Sequence, residues 1–214
     1  MADTPTRPSE PTMILAARGS LLETLEALTA AQWKKRSLCE GWTVKEVAGH
    51  LIVAMKADSF RVGTAMIQSF GNFDTAMDRE ARKESVKPTK DLLADFRTTA
   101  AKVRPPIFLG TGSPLTDIIV HSLDVRIPLG LPTPNDPEAL RAALQFRCHH
   151  FAGRFFGGTI PPRTALTATD IDWTFGNPVN AEFLVTGPAD ALLLTLTGRS
   201  AWRDRLAGDV DRLA

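Results

Sequence analysis

The sequence predicts an α+β protein, with a helical bundle of the four-helix type followed by a smaller α/β part. Apolar residues recur at helical spacing from Met13 to the Gly130 region, whereas short alternating or β-rich pieces follow Pro132. Turn residues punctuate both regions. The expected division is a disordered polar tail over residues 1–12, a bundle over 13–134 and a small α/β domain over 135–214.

Met13 to Ala30 reads as the first helix, with Leu15, Leu22, Leu25 and Leu28 among its apolar positions and Arg18, Glu23 and Glu26 among its polar ones. The link AAQWKKRSLCEGW follows. Thr43 and Glu46 have capping-box spacing and open a second helix, which runs to about Phe70 and stops at Gly71. Asp74 to Glu84 and Thr89 to Arg104 form one interrupted helix or two successive ones around Pro88. Pro105-Pro106 and the GTGSP run make a turn. Ser113 as N-cap and Pro114 as first helical residue then open a helix that ends at Pro128-Leu129-Gly130. Asp136 caps a helix to about Phe156, through Leu140, Leu144, Phe151 and Phe155. Thr164–Thr169, Ile171–Phe175 and Glu182–Thr186 read as strands, with Gly176-Asn177-Pro178 as a turn. Pro188 opens a last helix, Ala189 to Thr197.

Composition removes several classes of function. A formal net charge of +1 gives no electrostatic case for nucleic acid or an anionic membrane. No long uncharged apolar run predicts a membrane-spanning helix, and MADTPTRPSEPT has neither the basic nor the apolar region of a signal peptide. Cys39 and Cys148 are too few for a disulfide framework. The expectation is a cytoplasmic protein, monomer or homodimer, with a small-molecule partner.

The chemistry gathers in SPLTDIIVHSLDVRIPLG. On a helix, Asp117, His121 and Asp124 fall within about 60° of one another. Ile118 and Val125 border that strip on one side, Val120 and Ile127 on the other, which argues that it faces inward. The opposite side is read as more polar, with Ser122 and Arg126 among Leu115 and Ile119. Asp124 sits near the helix C-terminus, where the macrodipole disfavours an anion, so something must offset its charge. His50 shares a side with Val47, Val53, Ala54 and Ala57, and Lys45 and Lys56 point roughly 120–140° away. Three readings stay open. His50, Asp117 and His121 hold one divalent cation between helices; His50 and Asp117 form a buried hydrogen-bonded couple without metal; or the two never meet.

Other features read as structural. Successive helical residues point in different directions, so Cys148, His149 and His150 cannot chelate jointly. Cys39 reads as a packed small hydrophobe. Trp33, Trp42 and Trp173 read as packing, with Trp42 also placed to line a pocket beside the His50 helix.

LTAAQWKKRSLCEGWTVKEVAGHL resembles the N-terminal signature of the mycothiol-dependent maleylpyruvate isomerase family, a branch of the DinB-like metal-binding bundles. LTATDIDWTFGNPVNAEFLVTGPADALLLTLTGR resembles the C-terminal part of the same family, more loosely. The resemblance implies a DinB-like bundle carrying a divalent metal, usually zinc, on His50, Asp117 and His121, with Asp117 where the family usually has glutamate. It makes Asp124 the residue that orients His121, with a salt bridge to an arginine as the plainer alternative. Arg199 becomes the first candidate to grip a substrate carboxylate, and Arg82 and Arg79 weaker ones.

The implied activity is thiol chemistry. Mycothiol, deprotonated on the cation, attacks a small electrophile, as isomerase or S-transferase. The alternatives are a binding module or sensor that holds a ligand without turnover, and a degenerate member that has lost the metal.

Overall fold

Caps and breaks divide the N-terminal region into six helices among the described residues: α1 (Glu10–Glu26), α2 (Ala30–Trp33), α3 (Val44–Lys56), α4 (Phe73–Ser85), α5 (Thr89–Ala100) and α6 (Gly112–Arg126). The computed structural model describes residues 8–56, 73–104, 110–149, 157 and 159–213. Outside that range fall residues 1–7 of the expected tail, Ala57, the helix end at Phe70 and Gly71, Pro105-Pro106, and His150, Phe151, Phe155 and Phe156.

The first helix begins earlier and ends sooner than the leucine pattern suggests. Thr29 interrupts it: its hydroxyl accepts from Gln32 N–H while the Gln32 side chain accepts from Thr29 N–H, and that box restarts the chain as α2. The capping box before α3 is formed as expected, with Thr43 N–H on Glu46 Oε2 at 2.7 Å and Glu46 N–H on Thr43 Oγ1 at 3.4 Å. Pro88 separates α4 and α5 into two helices. Ser113 is not the N-cap of α6, which begins at Gly112 after Thr111 and takes Ser113 and Pro114 into its first turn.

α3 is the hub, packing against α4, α5 and α6. Gly49 permits a close approach of α3 to α4, since a Cβ there would lie 2.7 Å from the Ala81 carbonyl oxygen. Lys56 ties the same three-helix rim together, bonding Glu84 and Asp95 at 3.1 Å each. The core of this region includes Ile14, Leu21, Leu25, Leu51, Ile52, Leu92, Phe96, Leu115, Ile118 and Leu123, all at most 2% exposed. The supposed polar side of α6 is buried as well. Arg126 is 3% exposed, its Nη2 donating to the Ser20 carbonyl at 2.8 Å and to Thr24 Oγ1 at 2.7 Å. A guanidinium whose Nη1 and Nη2 both find acceptors can sit inside a bundle, which sequence polarity alone does not reveal.

The C-terminal region holds α7 (Pro137–His149), β1 (Thr164–Ala168), β2 (Thr174–Phe175), β3 (Phe183–Gly187), α8 (Ala189–Leu196) and β4 (Ala207–Gly208). Sheet order is β2-β1-β3-β4, with β1 and β3 parallel and the two edge pairs antiparallel. The register pairs Leu166 with Val185 in the parallel centre. The strand expected from Ile171 begins only at Thr174, because Trp173 N–H turns back onto the Ile171 carbonyl to close the β1–β2 connection. α7 packs on α8, with Leu144, Leu192, Leu193 and Leu194 unexposed.

The chain divides into two compact units, Ile14–Pro134 and Asn135–Ala214 with Met1–Met13. Among the described residues no helix is long and apolar enough to cross a membrane.

Candidate metal centre

α3 and α6 bring His50, Asp117 and His121 together. His50 Nε2 lies 3.5 Å from Asp117 Oδ1, and His121 Nε2 lies 3.4 Å from the same oxygen. The two imidazole centroids are 4.6 Å apart. The three side chains are 12%, 20% and 9% exposed, in the order His50, Asp117, His121. Each offers one donor atom, and the three atoms lie within 4.8 Å of one another.

These distances can be weighed. A neutral N–H···O bond has its mode near 2.9–3.0 Å, so both pairs are long for a hydrogen-bonded couple. Two donors at about 2.0–2.2 Å from a shared tetrahedral cation sit about 3.4 Å apart. Two imidazoles and a carboxylate are also a donor set suited to a zinc-like cation. The residues fit a divalent metal.

Behind His121, its Nδ1 lies 2.8 Å from Asp124 Oδ2, and Asp124 is fully buried. That contact holds the proton on Nδ1 and leaves Nε2 facing His50 and Asp117. Asp124 thus sits against His121 and Cys39, whose Sγ donates to Oδ2 at 3.4 Å. These donors offset the cost of an anion near the α6 C-terminus.

The electrostatics follow. Burial raises the Asp117 pKa, but the His121 charge and the bonds to His121 and His50 outweigh it and hold the carboxyl well below its usual range. Burial lowers that of His121, but Asp117, Asp124 and Cys39 outweigh it and hold the imidazole well above its usual value.

Trp42 flanks the cluster, its ring 5.1 Å from His50 and 6.4 Å from His121. Its indole N–H donates to Asp78 Oδ1 at 2.7 Å. Arg82 meets Asp78 at 2.9 Å and Glu46 at 2.8 Å, so it braces α4 against the start of α3. Arg79 lies 3.4 Å from Glu80. Arg199 belongs to the second unit, where its Nη1 donates to the Thr197 carbonyl at 2.5 Å. His149 of α7 packs its ring on Phe175 at 5.0 Å.

Three residues near the cluster escape a sequence reading. Cys39 was expected only to pack, yet it bonds Asp124. Asp78 anchors Trp42, a role visible only once α4 lies beside α3. Arg18, a polar position of the first helix by pattern, is 4% exposed, with Nη1 on the Lys102 carbonyl at 2.9 Å. Burial lowers its pKa, and its attraction to Asp117 opposes that.

Fold and site together define a class: a helical bundle with an inward carboxylate–histidine cluster able to hold a cation, joined to a small α/β unit. Residues 14–105 match the family described as mycothiol maleylpyruvate isomerase N-terminal domain. The fold extends the likeness along the chain. A crystal structure of the mycothiol-dependent maleylpyruvate isomerase superposes with TM-score 0.59 at 13% identity, covering 94% of this chain and 91% of that one. A histidine-to-alanine mutant of that isomerase gives TM-score 0.60 at 12% identity over the same shares. At such identity the likeness establishes the fold. No curated protein matches the chain in sequence.

Proposed function

We propose that this protein is a metal-dependent enzyme that activates a low-molecular-weight thiol, mycothiol, for attack on a small electrophile. The observation that carries the reading is the approach of the His50 and His121 Nε2 atoms to one Asp117 oxygen, at 3.5 and 3.4 Å. The family match of the helical region and the shared fold support the choice of thiol. A divalent cation, zinc in the first instance, would stabilise the thiolate at neutral pH.

The chain's own residues do the rest. Asp124 keeps the His121 Nδ1 proton in place, so Nε2 stays directed at the cluster. Asp117 supplies one negative charge against the cation. Trp42 covers one side of the two imidazoles and limits water there. Arg18 contributes a fixed positive charge in the interior, which favours an anionic reactant. Attack on a double bond followed by bond rotation and expulsion of the thiolate gives isomerisation; attack that displaces a leaving group such as chloride, or addition completed by protonation of the adduct, gives S-transfer.

The test is turnover. Zinc-loaded protein with mycothiol is offered maleylpyruvate and, separately, monochlorobimane. Mycothiol-dependent consumption of either, abolished in His121→Ala, is the expected result. Failure with both, in protein that carries metal at this cluster, would make the bundle a binding module and overturn the enzymatic reading.

A further inference from the structure

We propose that Cys39 is a positioning residue of the metal centre, its thiol donating to Asp124 so that this carboxylate keeps hold of the His121 Nδ1 proton. The inference rests on the metal reading above and deepens it.

The geometry begins with the loop before α3. Ser37 N–H donates to the Trp42 carbonyl at 3.0 Å, and Trp42 N–H to the Cys39 carbonyl at 3.1 Å. Ser37 Oγ accepts from Cys39 N–H at 3.2 Å and donates to the Trp42 carbonyl at 3.0 Å. Gly41 takes a left-handed φ of +77° inside this closed turn. The turn is fastened to α6 by its backbone, through Leu38 N–H on the Asp124 carbonyl at 3.1 Å. One rigid loop therefore delivers two side chains to the centre. Trp42 flanks the imidazoles, and Cys39 reaches Asp124 behind them.

Cys39 Sγ lies 3.4 Å from Asp124 Oδ2 and 3.9 Å from His121 Nδ1. The oxygen it meets is the one that contacts His121 at 2.8 Å. A weak S–H donor at this place constrains the carboxylate without competing strongly for it. A small hydrophobe would fill the space equally well but would leave a fully buried carboxylate oxygen one donor poorer. The difference between donor and filler is what can be measured.

Purified protein is stripped and titrated with zinc and with cobalt, comparing wild type, Cys39→Ser, Cys39→Ala and His121→Ala. Partners of this kind typically change metal affinity about 10–100-fold, and Cys39 stands one bond further out, so about tenfold is expected. Serine keeps a donor and should stay within about threefold of wild type, with the same cobalt absorption bands. Alanine should bind about tenfold more weakly, with altered bands. Thermal unfolding of each stripped variant checks that the fold is intact. If Cys39→Ala does not fold, Cys39→Val, which fills the space without a donor, takes its place with the same expected loss.

Alanine binding as tightly as wild type overturns the proposal, as does serine binding no better than alanine. If only His121→Ala loses metal, the role of Cys39 falls and the metal reading stands. If wild type binds no metal, both fall together.

Discussion

Loading the cluster with a divalent cation should release about one proton from His121 at neutral pH. In the metal-free protein, burial favours the neutral imidazole, yet Asp117, Asp124 and Cys39 hold its pKa well above the ordinary histidine value. Below that raised value the nitrogen that faces Asp117 at 3.4 Å carries the proton a cation must replace. Asp117 is already ionised and contributes none. Below the raised histidine value, each unit of falling pH should weaken binding about tenfold, or about 1.4 kcal/mol. The sign for folding is the reverse. Pairing with Asp117 and Asp124 stabilises the metal-free fold fully below the ordinary histidine value, and that contribution is lost as pH rises through the raised one. Calorimetric zinc titrations in buffers of different ionisation heat give the proton count, and apparent Kd from about pH 6 to pH 8 gives the slope. Binding without proton release, at constant affinity across that range, would refute the assignment of His121 Nε2 as a ligand.

Three further outcomes are expected. Gly49→Ala would push a Cβ to 2.7 Å from the Ala81 carbonyl oxygen, separating α3 from α4 and costing about 1–3 kcal/mol, read by denaturant unfolding. Cobalt binding should quench tryptophan fluorescence, and Trp42→Phe should remove most of that quenching, because Trp42 is 5.1 Å from His50. Burial pushes the Cys148 thiol up to about 12, so alkylation of the folded protein near pH 8 should leave Cys148 unmodified until denaturant is added, as mass spectrometry would show.

How far the sequence carried can be seen residue by residue. The Thr43–Glu46 box and the strip of Asp117, His121 and Asp124 are local patterns, set by spacing within one helix, and the structure contains both. That His50 meets Asp117 is common to two of the three readings, and the third stayed open because the pairing spans 67 residues. Arg126 and Ser122 were misjudged for a physical reason. A polar residue is solvated by default, and the acceptors that Ser20, Thr24 and Pro132 supply to Arg126 lie far from it in pattern terms. The end of the first helix differs from the sequence reading because the leucine pattern runs on to Leu28, past the helix end at Glu26, and the Thr29–Gln32 box then restarts the chain. Cys39 was read as a filler because its partner Asp124 lies 85 residues away, and no spacing rule links them.

Anomalous diffraction from zinc-grown crystals tests the central claim most directly. The account predicts one strong peak about 2.0–2.2 Å from His50 Nε2, Asp117 Oδ1 and His121 Nε2 together. A zinc peak elsewhere in the bundle, or none among these three atoms at saturating metal, would contradict it.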